Sequence, residues 1–286
     1  MKVLNFTRPE NGLIEDPLYY LNFEEYENIA RDCYLFMADF ASEIKTDKYN
    51  DKEKIVLTLE EPNGCIWADF DNYCDKILTL CPYTSEGSLK RTTVFFPFHQ
   101  KYIPKNFDKE FDVAYFGGFP RFFPWAHYIE EINKKYSLKW GNYHSGTNTK
   151  CTYNEKIDIY SKSKISIVHG LCDIQHGHQY EYLKVNSQNK AYSHINELVM
   201  PQVKSRMFEA AFCKSLILCQ KDYWNPIELF FEPNKDFIYF ENSEDMMDKI
   251  KIILDNYDQY QPIVESAFQK SINNYTVDNF VKKYLM

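Results

Sequence analysis

Apolar residues gather in short unbroken runs, with amphipathic or polar stretches between them. Lys54-Ile55-Val56-Leu57-Thr58-Leu59 and Lys76-Ile77-Leu78-Thr79-Leu80-Cys81 have the character of strands buried on both faces of a parallel sheet. The runs at 1–6, 92–96, 111–116, 137–140, 164–168, 216–219 and 236–240 read as strands too. Between them, apolar residues spaced three and four apart predict helices over 23–36, near 69–73, and over 124–135 and 153–161. Further helices are predicted over 204–215, after Phe240 and over 277–284. Strand alternating with helix implies an α/β chain with a parallel sheet in each half. Lys101 to Glu110, polar and proline-containing, is the best boundary between the halves, and no internal repeat is present. The segment from Cys172 to Glu197 is longer than an ordinary loop and reads as an excursion that lines a cleft.

Composition narrows the picture. A chain of 286 residues fits two small domains, and 44% hydrophobic with 17% aromatic residues supplies sizeable cores and excludes disorder. The net charge of -8 shows no dominant basic stripe and argues against a general duplex binder. No apolar run is long enough to span a bilayer, and the apolar start at Met1–Phe6 is too short for a signal peptide. The eight cysteines have no Cys-x-x-Cys spacing and sit in apolar patterns as buried thiols do, which points to a reducing cytoplasm.

The densest chemistry lies in Lys204-Ser205-Arg206-Met207-Phe208-Glu209-Ala210-Ala211-Phe212-Cys213-Lys214-Ser215, which runs directly into Leu216-Ile217-Leu218-Cys219. A helix N-terminus at a sheet edge offers amides and a partial positive charge to phosphates, and Pro201 suits its first turn. Lys204 and Arg206 add charge-assisted hydrogen bonds, and Glu209 has the geometry to accept from two vicinal ribose hydroxyls. The bland reading of an Arg and a Glu three apart is a solvated surface pair worth about 0.2–0.5 kcal/mol. Gly117-Gly118 after a strand marks a tight turn or a close backbone approach. Glu60 and Glu61 end a strand where α/β proteins place ligands, and are candidate general bases; their ordinary reading is a solvated strand end. His169, His176 and His178 crowd together with Cys172 and Asp173, but in no closed zinc spacing; no metal site is assigned. A neutral His169 hydrogen-bonding a phosphate or an acceptor hydroxyl is the preferred reading there, and His144 is a further candidate base.

The Lys-Ser-Arg-Met-Phe-Glu-Ala-Ala segment, its small residue and its following strand resemble the nucleotide-binding half of group 1-type glycosyltransferases, in the short branch grouped with spore-maturation proteins. The resemblance covers 200–283, and more loosely 111–200. It implies the GT-B fold: two Rossmann-like, doubly wound parallel-sheet domains facing a cleft. The domains would be a small acceptor-side one over 1–106, a donor-side one over 107–272, and a last helix over 273–286 packed back on the first. It implies a hexosyl- or pentosyltransferase that needs no metal and takes a nucleotide sugar, with UDP- or GDP-sugars the leading donors. Gly117, Gly118, Arg121, Lys204, Arg206, Glu209 and Glu228 would hold the donor, with Glu60, Glu61 and His169 as catalytic candidates. A glycan or a protein is the default acceptor. A virus-encoded enzyme acting on a modified DNA base, and a non-catalytic scaffold of the same fold, are the competing readings. The chain departs from the family's pair of glutamates separated by seven residues: Glu209 matches the second, but Pro201 occupies the first position, with Glu197 the nearest substitute. Arg206→Ala and Glu209→Ala are each expected to abolish activity with the fold intact.

Overall fold

The structure, a computed structural model, describes residues 1–5, 20–37, 44–58, 70–85, 88–117, 129–141, 151–173 and 199–286. Strands β1 (Lys2–Asn5), β2 (Cys33–Met37), β3 (Glu53–Thr58), β4 (Lys76–Thr79) and β5 (Arg91–Thr93) form a parallel sheet in sequential order. A second parallel sheet holds β6 (Phe111–Phe116), β7 (Leu138–Gly141), β8 (Ser163–Val168), β11 (Leu216–Gln220) and β12 (Ile238–Phe240). Its order is β7-β6-β8-β11-β12, so the direction of winding reverses at β6. That reversal opens a crevice between the carboxyl ends of β6 and β8, where parallel α/β sheets bind ligands. Strands β9 (Leu171–Asp173) and β10 (Val199–Pro201) pair antiparallel just beyond β8. The α/β class with two parallel sheets is as the sequence predicts.

The helices are α1 (Pro82–Ser85), α2 (Ile129–Lys135), α3 (Tyr153–Lys162), α4 (Ser205–Phe212), α5 (Ser243–Asp255), α6 (Gln261–Asn274) and α7 (Val277–Tyr284). Thr152 begins α3 with a capping box: its hydroxyl accepts from Glu155 N–H while the Glu155 side chain accepts from the Thr152 backbone.

Alternation along the strands sorts the core into three bodies. Val113 and Tyr115 of β6, Ile165 and Ile167 of β8, and Leu216 and Leu218 of β11 pack under α2 and α5. Tyr34, Phe36, Val56 and Ile77 cover the outer face of the first sheet. The opposite faces of both sheets share one continuous core with α3, α4 and α7. There the Phe98 ring stacks on Phe212 with centroids 4.4 Å apart, and Phe280 of α7 lies 5.5 Å from Phe23 and 5.4 Å from Phe95. The backbone ties the same region: Phe98 N–H donates to Tyr275 O (3.0 Å), Val277 N–H to Phe98 O (3.1 Å) and Arg31 N–H to Leu285 O (2.9 Å). Tyr26 and Gln100 both donate to the Asp278 carboxylate.

Two expectations need correction. The helix expected over 23–36 is a 3-10 turn at Phe23–Tyr26 followed by strand β2. Cys33-Tyr34-Leu35-Phe36-Met37 is buried on both faces, and a short unbroken apolar run does not by its periodicity separate a strand from a buried helix. Pro201 ends β10 instead of opening α4, which starts at Ser205 with Lys204 as its extended N-cap.

Phe280→Ala removes a fully buried ring from the core that joins both sheets. The expected loss is about 3–5 kcal/mol in denaturant unfolding. A loss under 1 kcal/mol would show that α7 contributes little to that core.

Candidate functional site

Helix α4 is buried along Met207–Phe212, and only its first turn, with Lys204 as N-cap, is partly exposed. Because the helix runs antiparallel into β11, that first turn lies at the carboxyl edge of the second sheet. The Val203 N–H donates to Leu80 O at 2.7 Å, immediately past β4, so the carboxyl edges of the two sheets meet there.

Arg206 reaches from α4 across the β6/β8 crevice. Its Nη1 lies 3.4 Å from Tyr115 Oη and 3.2 Å from His169 Nε2, and its Cζ is 5.6 Å from the centre of the Tyr115 ring. Tyr115 Oη and His169 Nε2 are 3.4 Å apart. The guanidinium lies directly over Gly117, where a Cβ would come within 2.3–2.5 Å of it. Gly117 also has φ +137°, a conformation open to glycine, and its N–H donates to Gly141 O at 2.9 Å beyond β7. The backbone conformation favours glycine there, and a side chain would displace the guanidinium from its place.

His169 is 2% exposed, and its imidazole is held well below 6.5 by burial first and then by the charges of Arg206 and Lys204, against a backbone hydrogen bond with Leu171. Lys204 donates to the Gln202 side chain, and Gln202 N–H to Gly170 O at 2.7 Å. Gly170 lies against Asp222 beyond β11: a Cβ at Gly170 would be 3.2 Å from Asp222 Oδ2 and 2.4 Å from Pro226. Asp222 Oδ1 accepts from the Trp224 and Asn225 amides at 2.8 and 2.7 Å. Burial raises its carboxyl to about 6, with Glu228 adding to the shift against those two hydrogen bonds.

Glu209 points the other way, into the core. It is fully buried, its Oε2 is 2.7 Å from Lys156 Nζ of α3, and Ser205 Oγ donates to the same oxygen at 3.4 Å. Its Oε1 is buried with no hydrogen-bond partner among the described residues. Removing one member of such a pair leaves the other buried and uncompensated, at a cost of roughly 3–5 kcal/mol. The expectation of an intact fold in Glu209→Ala is corrected on this ground.

Of the residues singled out from sequence, Gly117, His169, Lys204 and Arg206 meet at one crevice. Glu228 is exposed on the 3-10 turn Pro226–Leu229, where it accepts from Tyr239 Oη at 2.8 Å. Glu60, Glu61, Gly118, Arg121, His144, His176, His178 and Glu197 lie outside the described residues. Among the described residues no group of three or more His, Cys, Asp or Glu is placed to hold a metal, and no helix is long and apolar enough to cross a membrane. Tyr115, Lys156 and Asp222 were not foreseen as site residues. Tyr115 carried a usable signal, since it stands near the end of β6, two residues before Gly117; Lys156 reads in sequence as a solvated helix position.

Fold and site together define an α/β protein in which Arg206 and Lys204 gather at a crevice where the edges of two parallel sheets meet. A family model described as glycosyl transferase-like matches residues 129–286, more than half of the chain, and the chain belongs to that family. No curated protein matches the sequence. Among solved structures, TarM of S. aureus is similar with a TM-score of 0.56 at 15% identity, over 92% of this chain and 56% of that one. AviGT4, a glycosyltransferase involved in avilamycin A biosynthesis, gives 0.55 at 8% identity, over 92% and 75%. Anabaena HepE in complex with UDP-glucose gives 0.52 at 8% identity, over 88% and 77%. The chain thus spans just over half the length of the TarM structure, and the shared property is the GT-B fold.

His169 carries a stability prediction. Its folded value lies below its unfolded one, so as pH falls below 6.5 the unfolded chain takes up the proton first and stability is lost. Urea unfolding of His169→Gln should show a shallower acid-side loss than the parent, by up to about 1.4 kcal/mol for each pH unit. Parallel pH profiles would contradict the buried neutral imidazole.

Proposed function

We propose that this chain transfers a glycosyl group from a nucleotide-sugar donor to an acceptor hydroxyl, and that the β6/β8 crevice receives the donor's diphosphate. The observation that carries this reading is the Arg206 guanidinium lying over Gly117 beside the first turn of α4, since cation and helix amides then converge on one place. Gly118 and Arg121, which follow Gly117 in the chain, complete the phosphate-binding turn in this reading, and Lys204 adds a second cation. Positive charge at that place stabilises the departing nucleoside diphosphate without a divalent ion. The donor-side unit is 107–272, the acceptor-side unit 1–106, and 273–286 the helix returning to the first.

In the transfer the acceptor oxygen forms a bond to the anomeric carbon, the bond from that carbon to the β-phosphate oxygen breaks, and the diphosphate leaves with the electron pair. The hydroxyl proton passes to Glu60 or Glu61, which follow β3 in the chain. Glu209, turned onto Lys156, acts on the donor through the placement of α4, and Glu228 stands near Asp222 on the loop that follows β11. A UDP-sugar is the first donor to test, because HepE was solved with UDP-glucose and TarM with UDP. A glycan is the first acceptor class, as TarM was solved with fondaparinux and α-GlcNAc-glycerol. Cysteines that are free thiols among the described residues fit a cytoplasmic enzyme.

Thermal-shift titration with UDP-, GDP-, ADP- and CMP-sugars should single out one donor, since a ligand of the folded state raises Tm by mass action. Arg206→Ala should keep the fold and weaken that donor at least tenfold, the loss of a charge-assisted bond worth about 1.5–3 kcal/mol. Glu209→Ala should lose both donor binding and stability. Donor affinity unchanged in Arg206→Ala would refute the site, and donor binding without transfer to any acceptor would favour a binding protein of the same fold.

A further inference from the structure

We infer that His169 and Tyr115 are positioning residues that hold the Arg206 guanidinium with neutral acceptors only, so that its charge is reserved for the incoming anion. This rests on the donor reading and goes beyond it, because it moves His169 from proton transfer to the orientation of another side chain.

The chemistry follows from donor and acceptor inventories. A guanidinium has donors and no acceptor, so His169 Nε2, 3.2 Å from Nη1, must present its lone pair to it. The imidazole is then neutral, with its proton on Nδ1. Burial and the neighbouring cations hold it in that state. Tyr115 Oη accepts from the same Nη1 at 3.4 Å and lies in the fully buried part of β6. No carboxylate among the described residues pairs with Arg206, although other cations of the second half have one: Lys156, Lys214, Lys221, Lys249 and Lys270 are all ion-paired. Glu209, one turn along the same helix, is turned inward onto Lys156 instead. A carboxylate partner would orient Arg206 equally well but would neutralise it. Neutral acceptors orient it and leave the charge. A lone pair occupied by Arg206 is also unavailable to an acceptor hydroxyl, which leaves the base to another group.

The test compares acceptors of equal reach and different charge. Binding of UDP, and separately of inorganic pyrophosphate, is measured by calorimetry on the full chain and on His169→Leu, His169→Gln, His169→Glu and Tyr115→Phe, with circular dichroism confirming the fold of each. His169→Leu should lose about tenfold or more for both probes, the scale of one hydrogen bond to a charged group. His169→Gln should recover most of that loss. His169→Glu should not recover it, although it too offers an acceptor, and Tyr115→Phe should show a smaller loss. Rescue by Glu equal to that by Gln, or parental affinity in His169→Leu, overturns the assignment and leaves the donor reading standing. A parent chain that binds neither probe overturns both. Independently of any ligand, imidazole 15N shifts near neutral pH should show His169 neutral and protonated on Nδ1. An Nε2-protonated ring or an imidazolium overturns the assignment directly.

Discussion

Helix α4 is wedged between the two sheets, and whatever faces the proposed ligand depends on where that wedge leaves its one partly exposed end. Phe208 and Phe212 lock it in place, the first against Phe95, Phe230, Phe231 and Tyr275, the second against Phe98. At its far end Lys214 adopts a left-handed backbone at φ 51°, closing the helix before β11. A lysine tolerates that conformation less well than a glycine, but here its ammonium lies 4.4 Å from the Phe268 ring and pairs with Glu265 at 2.7 Å. Lys109 also secures this end, donating to the carbonyls of Ser161 and Cys213 at 2.7 and 3.4 Å, and burial lowers its ammonium to about 8. With both ends and the shaft fixed, the first turn has little freedom, and Arg206 emerges at a set point.

The sheets explain why that point is a site. In the second sheet the winding reverses at β6, with β7 on one side of it and β8 and β11 on the other, and Gly117 and His169 stand at the two lips of the crevice between β6 and β8. The first sheet runs in sequential order and has no such reversal. It offers its carboxyl edge to the same region through the Leu80 to Val203 contact. One half thus supplies the crevice that holds Arg206, and the other brings its carboxyl edge to the same place.

Much of this was legible in the residues. Strands β3, β4, β6, β8 and β11 announce themselves as short, mostly apolar runs, and α7 by its periodicity, because buried parallel strands and amphipathic helices impose those patterns. Strand β2 was not legible: Cys33–Met37 satisfies a helical spacing as well as a strand, and only its pairing between β1 and β3 decides. At the site, Arg206 and Gly117 were recognisable from residue type and order, but their contact was not, since it depends on the register of α4 against β6. Glu209 shows the limit most clearly. Spacing places it beside Arg206 on one helix, yet the packing of α3 turns it onto Lys156, and nothing in Tyr153-Asn154-Glu155-Lys156 marks that lysine as buried.

The most direct test of the account is a crystal structure of the chain with UDP bound. The account predicts the diphosphate at the β6/β8 crevice, hydrogen-bonded to the Arg206 guanidinium and to the first amides of α4, with Gly117 beneath it. A diphosphate bound elsewhere, with Arg206 still resting on Tyr115 and His169 and touching no phosphate oxygen, would contradict it.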